Sequence, residues 1–332
     1  MTDQYHIYGI GAALVDTEIT VTDDDLTQMG VDKGVMTLAD EARQAELIDY
    51  LQDHLIASQR ASGGSGANTI IAAGYFGCRN FYSCKVADDE NGEFYLKDIR
   101  DAGVHYPASL GSHQGVTGRC LVMITPDAER TMNTFLGISA TVSVAELDEA
   151  AIAASQWAYI EGYLVSSDTG RAAAIKLRQL AEANNTRTAL TLSDPAMVNF
   201  FREGLTEMIG DGVDLLFCNH DEALSYTNTD NLTDAIEAIK PIAKTFAITQ
   251  GPAGSVVYDG EQLLEIPTDQ VTAIDTNGAG DMYAGAFLYA LTRGESMQRA
   301  GEFANKAATK VVTQYGPRLR AEQHQELKAQ YF

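Results

Sequence analysis

Short apolar runs of strand length alternate along this 332-residue chain with longer stretches in which apolar side chains recur every three or four positions. Residues 6–10, 81–86, 157–161, 188–192, 214–218, 245–249 and 255–258 read as strands. Residues 41–55, 68–76, 92–102, 170–183, 196–209, 233–243, 280–292 and 297–313 read as helices. Strands rich in Val, Ile, Leu and Phe, interleaved with helices, predict a parallel sheet covered on both faces, the doubly wound α/β class. Two stretches break the alternation. Residues 17–38 mix β-branched side chains with an acidic Asp23-Asp24-Asp25 turn, and residues 104–136 hold two further strands, 119–124 and 131–135, joined through Pro126-Asp127. Together they predict a small β-sheet lid. No repeat, low-complexity run or Gly/Ser linker divides the chain, so 1–332 reads as one α/β domain whose lid is formed by about 17–38 and 104–136.

Charge narrows the partners. Against 46 Asp and Glu stand 23 Lys and Arg, a net charge of −23 with no basic cluster, which disfavours nucleic acid and anionic membrane surfaces. No basic-then-apolar leader opens the chain and no apolar segment approaches the roughly 18 residues of a membrane span, so a cytoplasmic protein is expected. Cys78, Cys84, Cys120 and Cys218 form no CxxC pair and read as buried, reduced thiols. The histidines show no metal-ligand spacing, and no serine sits in a G-x-S-x-G setting.

The candidate chemistry lies at strand ends and glycine turns. Gly9-Ile10-Gly11-Ala12-Ala13-Leu14 lacks the third glycine of a dinucleotide fingerprint, but Asp16 follows it where open α/β sheets place ligands, and neighbouring sugar hydroxyls can donate to such a carboxylate. Gly63-Gly64-Ser65-Gly66-Ala67-Asn68-Thr69 opens a helix with a backbone that can approach a ligand, and Asn68 either caps that helix or meets a substrate hydroxyl. It lacks the Lys-Ser/Thr ending of a P-loop. Asp275-Thr276-Asn277-Gly278-Ala279-Gly280-Asp281 leads into an apolar helix. Gly278, Ala279 and Gly280 leave amides bare at its positive end, suited to an anion, and Asp281 beside them suits a proton acceptor for an attacking hydroxyl. Asn219 and Glu222 form N-x-x-E after one strand, and Thr249-x-Gly251-x-x-Gly254 follows the next; a single Glu222 acting through water suffices for Mg²⁺.

These residues resemble the PfkB, or ribokinase-like, family of carbohydrate and nucleoside kinases over nearly the whole chain, with its two glycine signatures at 63–69 and 275–287. The resemblance implies a ribokinase-like α/β fold with a β-sheet lid, ATP and Mg²⁺, and a nucleoside or sugar acceptor phosphorylated on a primary hydroxyl. By it, Asp16, Gly63, Gly64 and Asn68 bind the acceptor, and Asp281 is the base over a Gly278–Gly280 anion hole. Asn219, Thr249, Gly251, Gly254 and Asn305 surround ATP, with Glu222 on Mg²⁺. K⁺ near Asp275 and Asn277, and near Val312 and Tyr315, is a further implication, as is a monomer or a homodimer. The segment Thr125-Pro126-Asp127-Ala128-Glu129-Arg130-Thr131-Met132-Asn133-Thr134 is most similar to the adenosine kinase-like bacterial branch, where an Arg placed like Arg130 neutralises phosphate charge. Ala12 departs from that branch, which commonly carries Asn there. The acceptor therefore stays open between adenosine, another nucleoside and a sugar of the ribokinase or fructokinase type; the alternative from a different class is a non-catalytic nucleotide- or sugar-binding sensor.

Overall fold

The computed structural model of the protein describes residues 4–54, 59–111, 113–127 and 129–332. Its main sheet has nine strands. In spatial order these are β14 (Leu263–Ile266), β13 (Ser255–Tyr258), β12 (Ala243–Thr249), β11 (Val213–Asn219), β10 (Arg187–Thr191), β9 (Ser155–Ile160), β1 (Tyr5–Ile10), β5 (Asn80–Ser83) and β6 (Val104–His105). From β6 to β12 every pairing is parallel; the expected strand β13 pairs antiparallel with β12, and β14, which the periodicity did not disclose, extends that edge. Helices cover both faces and make two separate apolar layers, one around Phe76, Phe287 and Phe303, the other around Leu177, Leu205 and Phe246. A strand buried on both sides needs no alternation, which is why these runs are apolar throughout.

A second sheet of five strands stands apart, in the order β3 (Met36–Leu38), β8 (Arg130–Phe135), β7 (Gly118–Ile124), β2 (Leu14–Thr20) and β4 (Gln59–Gly63). It gathers more chain than the expected segments. Residues 59–63 join it, whereas Val104–His105, expected within it, pair with Asn80 and Phe81 in the main sheet. One face of the second sheet is covered by two helices, Asp23–Gln28 and Glu41–Tyr50, packing Leu26, Met29, Leu47 and Leu51 on Ile19, Val21, Leu121 and Met123. Asp23-Asp24-Asp25 is the first turn of a capped helix, with Thr22 accepting from the Asp25 amide.

Several expected helices begin earlier than their apolar period suggests because a polar cap precedes them: Asp89 caps Glu90–Asp101, Ser167 caps Asp168–Ala183 and Asp194 caps Pro195–Ile209. The expected helix 233–243 closes at Ile239, since Ala243 already belongs to β12. The expected helix 41–55 closes at Tyr50, and its last residue lies outside the described set. All four cysteines are free and buried. Among the described residues no helix is long and apolar enough to cross a membrane.

Two helices position the chemistry, Ser65–Phe76 and Ala279–Thr292. They pack so closely that a Cβ at Gly285 would stand 2.6 Å from the Thr69 carbonyl oxygen and 2.9 Å from the Ala72 Cβ. The absent side chain sets the distance between the two helix starts. Gly285→Ala is expected to destabilise the fold by about 1–3 kcal/mol through overpacking, measured as a lower urea midpoint at unchanged m-value.

Candidate active site

One cavity of about 500 Å³ opens between the two sheets at the C-terminal ends of β1, β9, β10, β11 and β12. Asp16, Glu161, Asp194, Glu222 and Asp281 line it, and none of its described lining residues is Lys, Arg or His. Five carboxyl groups therefore face one volume from which basic side chains are missing.

At the floor, Asp281 sits in the first turn of the Ala279–Thr292 helix. Ser65 Oγ donates to its Oδ1 at 2.6 Å and Asn68 Nδ2 to its Oδ2 at 3.1 Å, so the neighbouring helix start fixes the carboxylate's orientation. Asn68 lines the same cavity, and its buried Oδ1 has no hydrogen-bond partner among the described residues. Gly278, at φ +73°, begins the helix without a side-chain cap, and a Cβ there would meet the Pro317 carbonyl oxygen at 2.3 Å. Of the three amides expected to hold an anion, that of Ala279 donates to Thr276 O at 3.3 Å. A Cβ at Gly280 would enter open space, so this glycine keeps room beside the helix start.

Asp16, on β2, is buried against the glycine turn. A Cβ at Gly63 would lie 2.2 Å from its carboxylate, and one at Gly64 (φ +96°) 2.5 Å from Ala12 O. At the opposite end, Asn219 caps the helix His220–Thr227. Its Oδ1 accepts from the Glu222 amide at 2.8 Å, while its own amides donate to both Glu222 oxygens, at 2.7 and 3.0 Å. Thr249 and Gly251 line the cavity beside them.

Other expected residues lie elsewhere. Gly254 is absent from the lining, and its missing side chain makes room for Ile266 O, 2.1 Å from a built Cβ. Asn305 faces a second hollow, donating to the carbonyls of Ile266 and Pro267 at 2.9 and 3.4 Å. Arg130 is also outside the lining, between Glu18 Oε1 at 3.1 Å and Asp275 Oδ2 at 2.5 Å. Asp275 further accepts from the amides of Asn277 and Gly316. Val312 O, part of the segment expected around K⁺, takes two amides, from Ile274 and Asp275. The Asp275 charge is thus met by a guanidinium and the Val312 carbonyl by two amides.

Burial pushes Asp16, Glu161, Glu222 and Asp281 up. Asp281 rises to about 6, held back by Ser65 and Asn68. Asp16 and Glu222 rise to about 7, opposed chiefly by Arg318 and the Asn219 amide respectively. Glu161 rises to about 8, opposed by the Ala12 amide that donates to its Oε2 at 2.7 Å.

The sequence matches the pfkB family of carbohydrate kinases over residues 41–324. The chain belongs to this family. Like its pfkB relatives it is an ATP-dependent phosphotransferase acting on hydroxyl groups. A probable sugar kinase from Rhizobium etli CFN 42 superposes with a TM-score of 0.90 at 30% identity, covering 100% of both chains. The adenosine kinase of Sinorhizobium meliloti gives 0.88 at 34% identity, covering 97% of this chain and 99% of that one. Among curated relatives, adenosine kinase of Saccharomyces cerevisiae is 27% identical across 94% of this chain and 96% of its own length.

Glu161 is not among the expected site residues, although it closes the apolar run 157–161 where the strand's C-terminal end meets the cavity. A charged side chain ending a run of buried strand residues was the available signal. Ser65 escaped because the glycines around it drew the attention to backbone geometry.

Carboxyls that hold protons more tightly folded than unfolded weaken the fold as pH rises: the unfolded chain releases those protons near 4, the folded one only near 6 to 8. Between about pH 5 and about pH 8, Glu161→Gln is therefore expected to lose less melting temperature than the parent protein. Parallel curves in thermal melts would contradict the burial of an ionisable Glu161.

Proposed function

We propose that this pfkB kinase transfers the terminal phosphoryl group of ATP to the primary hydroxyl of a nucleoside. The observation that carries the reading is Asp281, a carboxylate whose proton affinity burial has raised, at an uncapped helix start across one cavity from Asp16. Two adjacent ribose hydroxyls donate to Asp16, restoring the solvation that burial removed. Asn68, which lines the same cavity, meets a further hydroxyl of the acceptor. Asp281 accepts the proton of the primary hydroxyl as its oxygen bonds to the terminal phosphorus and the bond to ADP breaks. The Gly278 and Gly280 amides and the helix's positive end face the charge that accumulates.

No basic side chain among the described lining residues shares that task. Glu222, oriented by Asn219, would hold Mg²⁺ through water, and the ion supplies the positive charge the cavity lacks. The buried carboxylate and its two fixed oxygens fit such an ion. Thr249 and Gly251 border the nucleotide.

Leu14, Met36, Leu38, Met132 and Leu136 of the second sheet and its exit, with the Tyr163 ring, form an apolar wall in the same cavity as Asp16. A nucleobase covers that wall, whereas a free pentose leaves it wet. The second reading, a sugar acceptor, is favoured by Glu161, which offers a polar partner, and by the lack of a polar side chain at Ala12.

The test is ADP release from MgATP with adenosine, ribose or fructose. Adenosine is expected to support turnover. Asp281→Asn should cost about 10²–10⁴-fold in kcat with the melting temperature kept, the range general-base removal commands. A full rate in Asp281→Asn would end its assignment as base; turnover with ribose alone would move the enzyme to sugar acceptors, and nucleotide binding without turnover on any acceptor would favour a sensor. Gly280→Ala is expected to raise KM for ATP while leaving thermal stability unchanged, since its methyl group occupies the space beside the helix start.

A further inference from the structure

The Arg130 guanidinium sits where the second sheet meets the turn that starts the Asp281 helix. Its side chain is about nine-tenths buried, and Nε has no hydrogen-bond partner; Nη2 reaches Asp275 without hydrogen-bonding alignment. Asp275 uses Oδ1 to hold the Asn277 amide at 3.0 Å and Oδ2 to hold the Gly316 amide at 2.8 Å. Whatever fixes Asp275 therefore fixes both strands of the turn leading to Gly278–Gly280. On the sheet side, Glu18 is two residues from Asp16 on β2, and Arg130 is two residues from Met132 on β8, so all four lie on one face by strand alternation. Asp16 and Met132 line the cavity, and Glu18 and Arg130 end the same face in an ion pair.

We infer that Arg130 is a positioning residue, a strap through Asp275 that joins the acceptor-binding face of the second sheet to the anion-holding turn. Occupancy of the acceptor face then biases the turn, and each substrate changes affinity for the other by the same factor. This coupling rests on the kinase reading above; the strap itself does not.

The experiment has an arm for each. Without ligands, hydrogen–deuterium exchange is followed in peptides covering 275–281 and 314–318 of the parent protein, Arg130→Met and Arg130→Lys. The Met variant should exchange about tenfold faster there and no faster in β9, with the Lys variant between, because a single ammonium restores the charge but not the fork. Unchanged exchange in a folded Met or Lys variant overturns the strap. In the second arm, calorimetry measures adenosine binding with and without Mg²⁺ and a non-hydrolysable ATP analogue. The factor linking the two ligands should fall toward one in Arg130→Met. A lost kcat with that factor intact shows Arg130 acting on the phosphate and overturns the coupling. Should the parent protein bind neither ligand, the nucleoside reading fails, while the exchange arm still decides the strap.

Discussion

Five carboxyl groups around one cavity, unrelieved by any basic side chain in its lining, are the constraint on which the remainder of this structure turns. Burying negative charge is costly unless donors face it. The protein supplies them from backbone and neutral side chains: the Ala12 amide to Glu161, Ser65 and Asn68 to Asp281, both Asn219 amides to Glu222. The backbone donors, the Ala12 and Asn219 amides, come from a strand end and a helix start, where amides are left over from regular pairing. Hence the crowding of glycine turns at one edge of the sheet. Side-chain cations remain outside the lining, as Arg318 on Asp98 and Arg130 on Asp275 illustrate.

The same constraint explains why a polyanionic donor can be accommodated at all. Amide dipoles are fixed in place and need no reorganisation when charge shifts, but they neutralise only in part. On the proposed reading a divalent ion would complete the balance, and without it burial raises the proton affinity of Asp16, Glu161, Glu222 and Asp281.

Much of this was legible in the sequence, for definable reasons. The parallel core was visible because doubly covered strands are apolar at every position, and the glycine turns because only glycine permits such close backbone approach. β14 was not visible: Leu263–Ile266 is four residues long, partly exposed and without a flanking apolar period. β4 was hidden by its Gln-Arg-Ala-Ser-Gly composition, which pairs with Leu14–Glu18 through register alone. Within the site, local motifs located Asp16, Asn68, Glu222 and Asp281 in one cavity. Asn305 and Gly254 lie outside that lining, against the Ile266 and Pro267 carbonyls of a distant strand end. Spacing along a chain reports which residue a turn can present; it does not report which neighbour arrives to meet it.

The second sheet divides its labour by strand alternation. Ile19, Val21, Leu121 and Met123 face the two covering helices, while Leu14, Asp16, Cys120, Met132 and Thr134 face the cavity. Because the first set carries the sheet's own small core, the second is free of structural duty. Positions 36, 38, 132, 134 and 136 form a surface on which selection can redraw the acceptor without disturbing the packing that holds the sheet together, a route by which one architecture diversifies into kinases for different alcohols.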